Sequence, residues 1–546
     1  MEVHDAIISI LAREGEGQLF CFPDNPLIEA AARNGMRPIM TRTERTAVAM
    51  ADGYTRVSNG RRTGVCTVQA GAGVENSFAG VAQANADSVP LLFLPGHIGR
   101  DRHGSTRNFP AVPSYRPITK WAEQVNMPGR MPEMMRRAFS YLRNGRPGPV
   151  MLEIPRDVGN SEIDDGFEYR PPQRVRAAGD PEAVDAVVAA LLKAKCPVIQ
   201  VGQGVLYAEA TEELQAFAEL TGAPVMSTLL GKSAFAEDHP LSIGAVANDR
   251  SVTRAIAYYL DKADLILGIG CSLSLEWMRA PVPPGKTIIQ VTNDDRDLNA
   301  DMQIDIGVLG DAKLVLYQLT EALQRQTGGS GRDQGNVVQE IEKIRRAWFE
   351  EWGPLLTSDE APINPYRVIW DLMHTVDRTQ TIVTHDSGYV RDQVVPFFEA
   401  IVPRGYLGWG NSTQMGHSLG LALGAKVAAP EKTVVNIMGD ASFGMLGLEI
   451  ETAARNELPI LTIILNNSVM CGSEAQMPTA VERFGLKQLS GDYAKIAEGL
   501  GAVSERVESP QEVVPAIRRA QQVMSTGRPA LIEVITKEEQ RLPRLV

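Results

Sequence analysis

The sequence predicts an α/β protein of three domains, each built on a parallel sheet. Three observations carry that expectation. A β-branched apolar run, Val434 to Met438, stops at Gly439-Asp440. A helical pattern follows, with Leu446, Leu448, Ile450 and Ala453 among Glu449, Glu451 and Arg455, and a second apolar run, Ile460 to Leu465, stops at Asn466-Asn467. Strand, helix, strand with polar residues at each strand's carboxyl end is the unit of a parallel sheet. The same alternation recurs before residue 175 and again between 180 and 325. Finally, 546 residues exceed what one core organises and suggest three domains of ordinary size.

Bulk properties narrow the class. Hydrophobic residues make up 44% and charged residues 22%, the balance of a soluble globular chain. The net charge of −12 disfavours a nucleic-acid partner, which wants a basic face, while leaving room for local anion sites. The five cysteines are scattered, with neither zinc spacing nor a dense disulfide framework, so free thiols in a reducing cytoplasm are the expectation. The opening MEVHDAIISILAREG reads as an amphipathic helix without a signal peptide's apolar core, and no apolar run reaches transmembrane length, so no membrane partner is expected.

In the first domain, residues 1–175, strands are expected at Gln18 to Phe22, Thr63 to Val68, Leu91 to Leu94 and Pro149 to Ile154. Helices are expected at Asn25 to Asn34, Glu44 to Ser58, Gly73 to Ala86 and Met131 to Arg143. Glu44 opens a helix whose apolar face is Ala47, Val48, Ala51 and Tyr54, where a carboxylate also suits the helix dipole. The loop Gln69 to Asn76 is a glycine-rich strand-to-helix turn. His97 sits at a strand's carboxyl edge, placed either to move protons or to serve as a hydrogen-bonded structural histidine. Pro171-Pro172 and the charged run after it suit a linker.

The middle domain, 180–325, carries Gly202-Gln203-Gly204 and Gly268-Ile269-Gly270, but neither turn completes a dinucleotide fingerprint. Thr327 to Gly331 reads as a flexible linker and Val337 to Trp352 as a charged helix. In the third domain, 360–546, Thr381 to Thr384 is a strand ending at Asp386-Ser387-Gly388-Tyr389, and a small-residue helix follows Met415-Gly416. Asp440 offers a hard carboxylate oxygen, Asn467 an amide oxygen and Val469 a backbone carbonyl, a set that suits magnesium completed by phosphate and water. Gly439, Ala441 and Ser442 are small enough to let phosphate approach backbone N–H groups.

The Gly439-Asp440 to Asn467 unit, together with Glu44 followed by Ala51-Asp52-Gly53-Tyr54, resembles the thiamine-diphosphate enzymes of the acetolactate synthase type across the whole chain. Ala441, where the motif usually has glycine, and the run FGMLGLEIET also resemble 2-hydroxyacyl-CoA lyases and oxalyl-CoA decarboxylases. The resemblance implies a pyrimidine-binding domain, a middle domain and a diphosphate-binding domain. It implies thiamine diphosphate and Mg2+ as cofactors, with FAD or ADP, or neither, in the middle domain near Asn293-Asp294 and Gly310-Asp311-Ala312. Glu44 would share a proton with the aminopyrimidine, Gln69 and Asn76 would lie along cofactor or substrate, His97 would move protons on the substrate side, and Glu474, one position later than the acid–base glutamate of pyruvate decarboxylase-like relatives, would be a substrate-side acid–base residue. Ser387, Gly388 and Tyr389 would contact the diphosphate, and Met415 would wedge the two cofactor rings into a V. The implied activity is decarboxylation or carboligation of a 2-oxo acid. The alternatives are an acyl-CoA lyase and a non-catalytic regulatory paralogue. The implied assembly is a homodimer or homotetramer in which Glu44 and Asp440 need not meet within one chain.

Overall fold

The computed structural model describes residues 1–105, 107–274, 278–332 and 335–543. It contains three sheets, and every strand pairing within them is parallel. The first runs Arg37–Met40, Gln18–Phe22, Gly64–Val68, Leu91–Phe93, Val150–Pro155, with Gly96–His97 and Trp121–Gln124 both paired to the last of these. The second runs Ser242–Ala245, Val225–Ser227, Pro197–Val201, Leu265–Ile269, Thr287–Thr292, Ile306–Leu309. The third runs Tyr406–Leu407, Thr381–His385, Thr433–Gly439, Ile460–Asn466, Ala530–Ile535, Val503–Val507. The central strands of the third sheet are buried on both faces, which is why they read as unbroken apolar runs.

In each sheet the strand order reverses next to a central strand, and crevices outside the carboxyl ends of strands at such points are where open α/β sheets bind ligands. In the first sheet the point lies between Gln18–Phe22 and Gly64–Val68, which end at Pro23-Asp24 and at Gln69. In the second it lies between Pro197–Val201 and Leu265–Ile269, where the Gly204 N–H donates to the Gly270 carbonyl at 2.9 Å. In the third it lies between Thr381–His385 and Thr433–Gly439, which end at Ser387 to Tyr389 and at Asp440.

The first and third domains of one chain pack back to back. The helix Glu44–Val57 lies on the helix His417–Ala428 so closely that a Cβ on Gly53 would stand 2.1 Å from the Leu421 carbonyl oxygen, and one on Gly424 1.9 Å from that of Met50. Only glycine permits that approach. A fully buried Arg56 ties all three domains together. It donates to Asp52, to Asp87 at 2.8 Å, to the Gly408 carbonyl at 2.9 Å and to Gln203 at 3.3 Å. The guanidinium's fork meets two carboxylates and a carbonyl at once, as a buried cation requires.

One expected element is corrected. The helix after Asp440 is not continuous. It runs Asp440–Leu446, tightens to a 3₁₀ turn at Gly447–Glu449 and resumes at Ile450–Arg455. The break rotates the face, so Leu448, read as apolar face, is 56% exposed, and Glu449, read as polar face, is 1% exposed.

The buried carboxyls leave a measurable trace. Glu16 is 4% exposed and accepts the Thr63 N–H at 2.6 Å, and burial pushes its carboxyl up to about 8. An unfolded glutamate titrates near its ordinary value, so between that value and pH 8 the folded chain holds a proton that the unfolded chain releases. Stability contributed by this group is therefore full at low pH and is lost as pH rises through the window. Glu16→Gln keeps an oxygen for Thr63 and removes the titration. The variant is expected to gain at least about 1 kcal/mol on the wild type between pH 5 and pH 8.5, read as the difference in denaturation midpoints. Equal pH dependence in the two proteins would refute the buried-acid account.

Candidate active site

The third sheet's switch point opens into a pocket lined by Ser387, Gly388, Tyr389, Met415, Gly439, Asp440, Ala441, Ser442, Asn467, Val469 and Cys471. Tail residues Thr536, Lys537 and Glu539 close its far side. Ten residues expected from the sequence thus meet in one place. Asp440 sits at the end of Thr433–Gly439, 3% exposed, and its two carboxylate oxygens accept the N–H groups of Ala441 and Ser468, each at 2.7 Å. Burial raises its titration above the ordinary range, and these N–H groups pull it back. Both oxygens are held by backbone, so the carboxylate is pre-aimed rather than free to rotate. Across from it, the Asn467 side-chain oxygen accepts the Val469 N–H at 3.0 Å, and its amide donates to the Cys471 sulfur at 2.9 Å.

A second carboxylate organises the opposite wall. Asp386 is fully buried and accepts from the N–H groups of Ser387 at 2.9 Å, Gly416 at 3.0 Å and Ser418 at 3.3 Å. One side chain therefore fixes both the Ser387-Gly388-Tyr389 turn and the turn carrying Met415. Gly388 has φ of +79°, and a Cβ there would meet nothing within 4 Å, so the turn borders open space at this glycine. Met415 is half-buried on the pocket wall, and its carbonyl accepts from Arg45 of the first domain.

These features fit a metal-bound diphosphate. The donor set is one carboxylate, one amide oxygen and a backbone carbonyl, all hard oxygens. Among the described residues no three His, Cys, Asp or Glu side chains cluster as a transition-metal site would need. The open space at Gly388 and the small residues Gly439, Ala441 and Ser442 on the pocket wall suit the approach of a phosphate.

The expected residues of the first domain gather elsewhere. Every residue lining the pocket lies after residue 360, and Glu44, Gln69, Asn76 and His97 are not among them. Glu44 is 5% exposed at the first turn of its helix, capped by Thr43, and its carboxylate accepts from the Asn76 amide at 3.3 Å. Gln69 and Asn76 are exposed. His97 is half-buried on the short strand Gly96–His97. Its Nδ1 accepts the Gly99 N–H at 3.2 Å, which leaves Nε2 as the protonated nitrogen, and burial, then the nearby His103, hold its titration below the usual range. Glu474 also lies outside the pocket lining, exposed and paired with Lys487 at 3.0 Å.

The sequence reading passed over several residues that build this site. The organising role of Asp386 shows only in its contacts, although an aspartate at a strand end is a visible signal. The tail reaches the pocket because Glu538 accepts from the Gly472 N–H and from Lys487, and no local pattern marks that contact. The last three residues of that tail lie outside the described residues.

Comparison with known proteins now bears on this geometry. The chain matches the N-terminal TPP binding domain of thiamine pyrophosphate enzymes over residues 1–119, their central domain over 184–319 and their C-terminal TPP binding domain over 386–534. The chain belongs to the thiamine pyrophosphate enzyme family. Among its relatives is the probable acetolactate synthase large subunit of Methanocaldococcus jannaschii, 31% identical, covering 100% of this chain and 93% of the relative. The acetolactate synthase large subunit of Corynebacterium glutamicum is 32% identical over 92% of this chain and 81% of its own length. Glyoxylate carboligase of Escherichia coli O157:H7 is 29% identical over 98% of this chain and 93% of its own. Thiamine diphosphate is the cofactor that these domains bind. No helix among the described residues is long and apolar enough to cross a membrane.

Proposed function

We propose that this enzyme is a thiamine-diphosphate- and Mg2+-dependent decarboxylase or carboligase acting on a small 2-oxo acid. The observation that carries it is the one pocket lined by Asp440, Asn467 and Val469 together with the Ser387-Gly388-Tyr389 turn. Full-length likeness to acetolactate synthases and a glyoxylate carboligase supports the 2-oxo acid over the acyl-CoA alternative. When bound, the cofactor supplies a carbon nucleophile and an electron sink for cleaving the bond beside a carbonyl.

The chain's own residues do the rest. Asp440, Asn467 and the Val469 carbonyl would hold the metal, and the Ser387 to Tyr389 turn and Ser442 would hold the diphosphate. Met415, fixed through the turn that Asp386 ties down, would pack against the cofactor. Glu44 would hold and return a proton at the aminopyrimidine ring nitrogen. His97, neutral with Nε2–H, moves a proton on the substrate side, while Gln69 and Asn76 line the same edge. Glu474, exposed, outside the pocket lining and paired with Lys487, is the weaker acid–base candidate. In the middle domain, Gly202, Gly204, Gly270 and Asn293 line a crevice at the second switch point, where FAD or ADP would bind if the domain holds either. Loading with thiamine diphosphate and Mg2+, then assaying pyruvate, glyoxylate, oxalyl-CoA and a 2-hydroxyacyl-CoA, tests the reading. Turnover of CoA thioesters alone would overturn it, and release of FAD or ADP on denaturation identifies the middle-domain occupant.

The active unit is a homodimer or a dimer of dimers. Among the described residues the pocket is lined by the third domain, and Glu44, Gln69, Asn76 and His97 of the same chain do not line it. Apolar side chains also stay uncovered on the elements flanking both half-sites: Met40, Phe78, Met445 and Leu448 are 37–56% exposed. A second copy that joins the half-sites covers them. Glu44→Gln chains and Asp440→Ala chains, each inactive alone, are expected to regain activity when mixed and re-associated, because each mixed dimer then holds one intact site. No recovery, with mixed dimers verified by mass, would show that each chain builds its own site.

A further inference from the structure

We propose that Glu449 is a positioning residue for Glu44 of its own chain, acting from the third domain across the domain boundary. This rests on the reading of Glu44 as the proton-sharing carboxyl.

Glu449 is a charged residue turned inward. The 3₁₀ turn Gly447–Glu449 breaks the helix after Asp440 and carries the side chain out of solvent, to 1% exposure. A buried carboxylate persists only where its oxygens are satisfied. Here they are, and two of the three donors come from the other domain. The Arg42 N–H donates at 3.1 Å and the Thr43 hydroxyl at 3.0 Å, while Thr452 donates at 2.7 Å from the same domain. Thr43 is the cap of the helix that Glu44 opens and accepts the Thr46 N–H at 3.3 Å. The two residues immediately before Glu44 are thus held by one carboxylate of the third domain.

The surrounding contacts confirm that this seam is built. Arg455 donates to the Met40 carbonyl at 2.8 Å, Arg37 to the Asn456 carbonyl at 3.3 Å, and Arg42 pairs with Glu451 at 3.5 Å. Those contacts involve exposed side chains, which hold weakly in water. Glu449 is the member out of solvent, where a charge-assisted bond is strong and its removal leaves the Arg42 N–H without an acceptor. On the other side of Glu44, the Arg45 guanidinium donates to the Met415 carbonyl. The first turn of the helix is therefore clamped on both sides of Glu44 by the third domain of its own chain. That domain's pocket, in the proposed dimer, serves the other site.

Complementation separates this role from a merely structural one. Glu449→Ala is expected to slow hydrogen–deuterium exchange at the reactive carbon of bound thiamine diphosphate at least tenfold, with cofactor affinity changed less than threefold. Mixed with Asp440→Ala chains it should recover activity. Mixed with Glu44→Gln chains it should not, because each chain then spoils its own Glu44 contribution. The opposite pattern would place Glu449 in the diphosphate half-site and overturn the proposal. A second readout needs no cofactor: amide exchange in the segment 41–47 of the apo protein should rise in Glu449→Ala and less in Glu449→Gln, which keeps the side chain's length. Unchanged amide exchange in both variants would also overturn it. Should the alanine variant fail to fold, the glutamine variant carries both measurements. A wild type without cofactor exchange would instead sink the functional reading on which this rests.

Discussion

Asp440→Ala is expected to abolish magnesium-dependent cofactor retention. The carboxylate is the charged member of the proposed donor set, and it is aimed by two backbone N–H bonds of 2.7 Å. Alanine removes the charge and leaves the Ala441 and Ser468 N–H groups facing a diphosphate without its metal. Phosphate would still find N–H donors, but the repulsion between its own charges would go unneutralised. The measurement is a melting shift. Wild-type protein with thiamine diphosphate and Mg2+ at a hundredfold excess over the dissociation constant should be stabilised by about 2.7 kcal/mol through mass action. The variant should show none of it, while apo stability stays close to wild type or rises, because a buried carboxyl with a raised titration is itself a cost. A variant that keeps the full cofactor-dependent shift would remove Asp440 from the metal site.

The parts of the fold that read clearly from sequence share a physical cause. The strands Thr433–Gly439 and Ile460–Asn466 are covered on both faces, so burial wrote an unbroken β-branched run that no solvent-facing residue interrupts. The helix Met131–Arg143 has Met131, Met134, Met135, Ala138, Phe139 and Leu142 buried, a 3.6-residue rhythm that shows without coordinates. Edge strands left little trace. Arg37–Met40 buries only Ile39, and its four residues include a proline, so neither alternation nor an apolar run announces it. The break at Gly447 was illegible for a different reason. Periodicity assigns faces by assuming one helix axis, and a 3₁₀ turn changes the angle per residue from 100° to 120°. Glu449 therefore counted as solvent face.

The candidate site divides in the same way. Strand-end residues such as Asp440, Asn467 and Ser387 were legible because topology alone carries them to one edge. Asp386 and Glu449 act through long-range hydrogen bonds: Asp386 reaches Gly416, and Glu449 reaches Thr43 from the far end of the chain. One sequence holds no record of such pairings beyond the presence of a carboxylate. Glu44 is likewise absent from the lining of the Asp440 pocket in its own chain, although its neighbour Arg45 is bonded to Met415 on that pocket's wall.

Glu44→Gln is expected to leave cofactor binding nearly intact and to slow proton exchange at the cofactor's reactive carbon by about a hundred- to ten-thousand-fold, the range of general acid–base contributions. The structure makes this a clean substitution. Glutamine matches glutamate in length, and its amide oxygen can still accept from Asn76, which now donates at 3.3 Å. Thr43 still caps the helix through its own hydroxyl, so the turn keeps its geometry. What glutamine cannot do is take up and return a proton at the ring nitrogen. The loss should therefore appear in exchange rate and turnover together, and hardly at all in affinity, because the diphosphate and metal anchors lie in the Asp440 pocket. The measurement is deuterium exchange at the reactive carbon of bound cofactor, quenched in acid and read by proton NMR, alongside a binding titration. Wild-type exchange in the variant would reduce Glu44 to a helix-capping carboxylate. Loss of affinity equal to the loss of rate would instead make it a binding residue, and the position of Asn76 beside it would then mark a cofactor contact rather than a proton path.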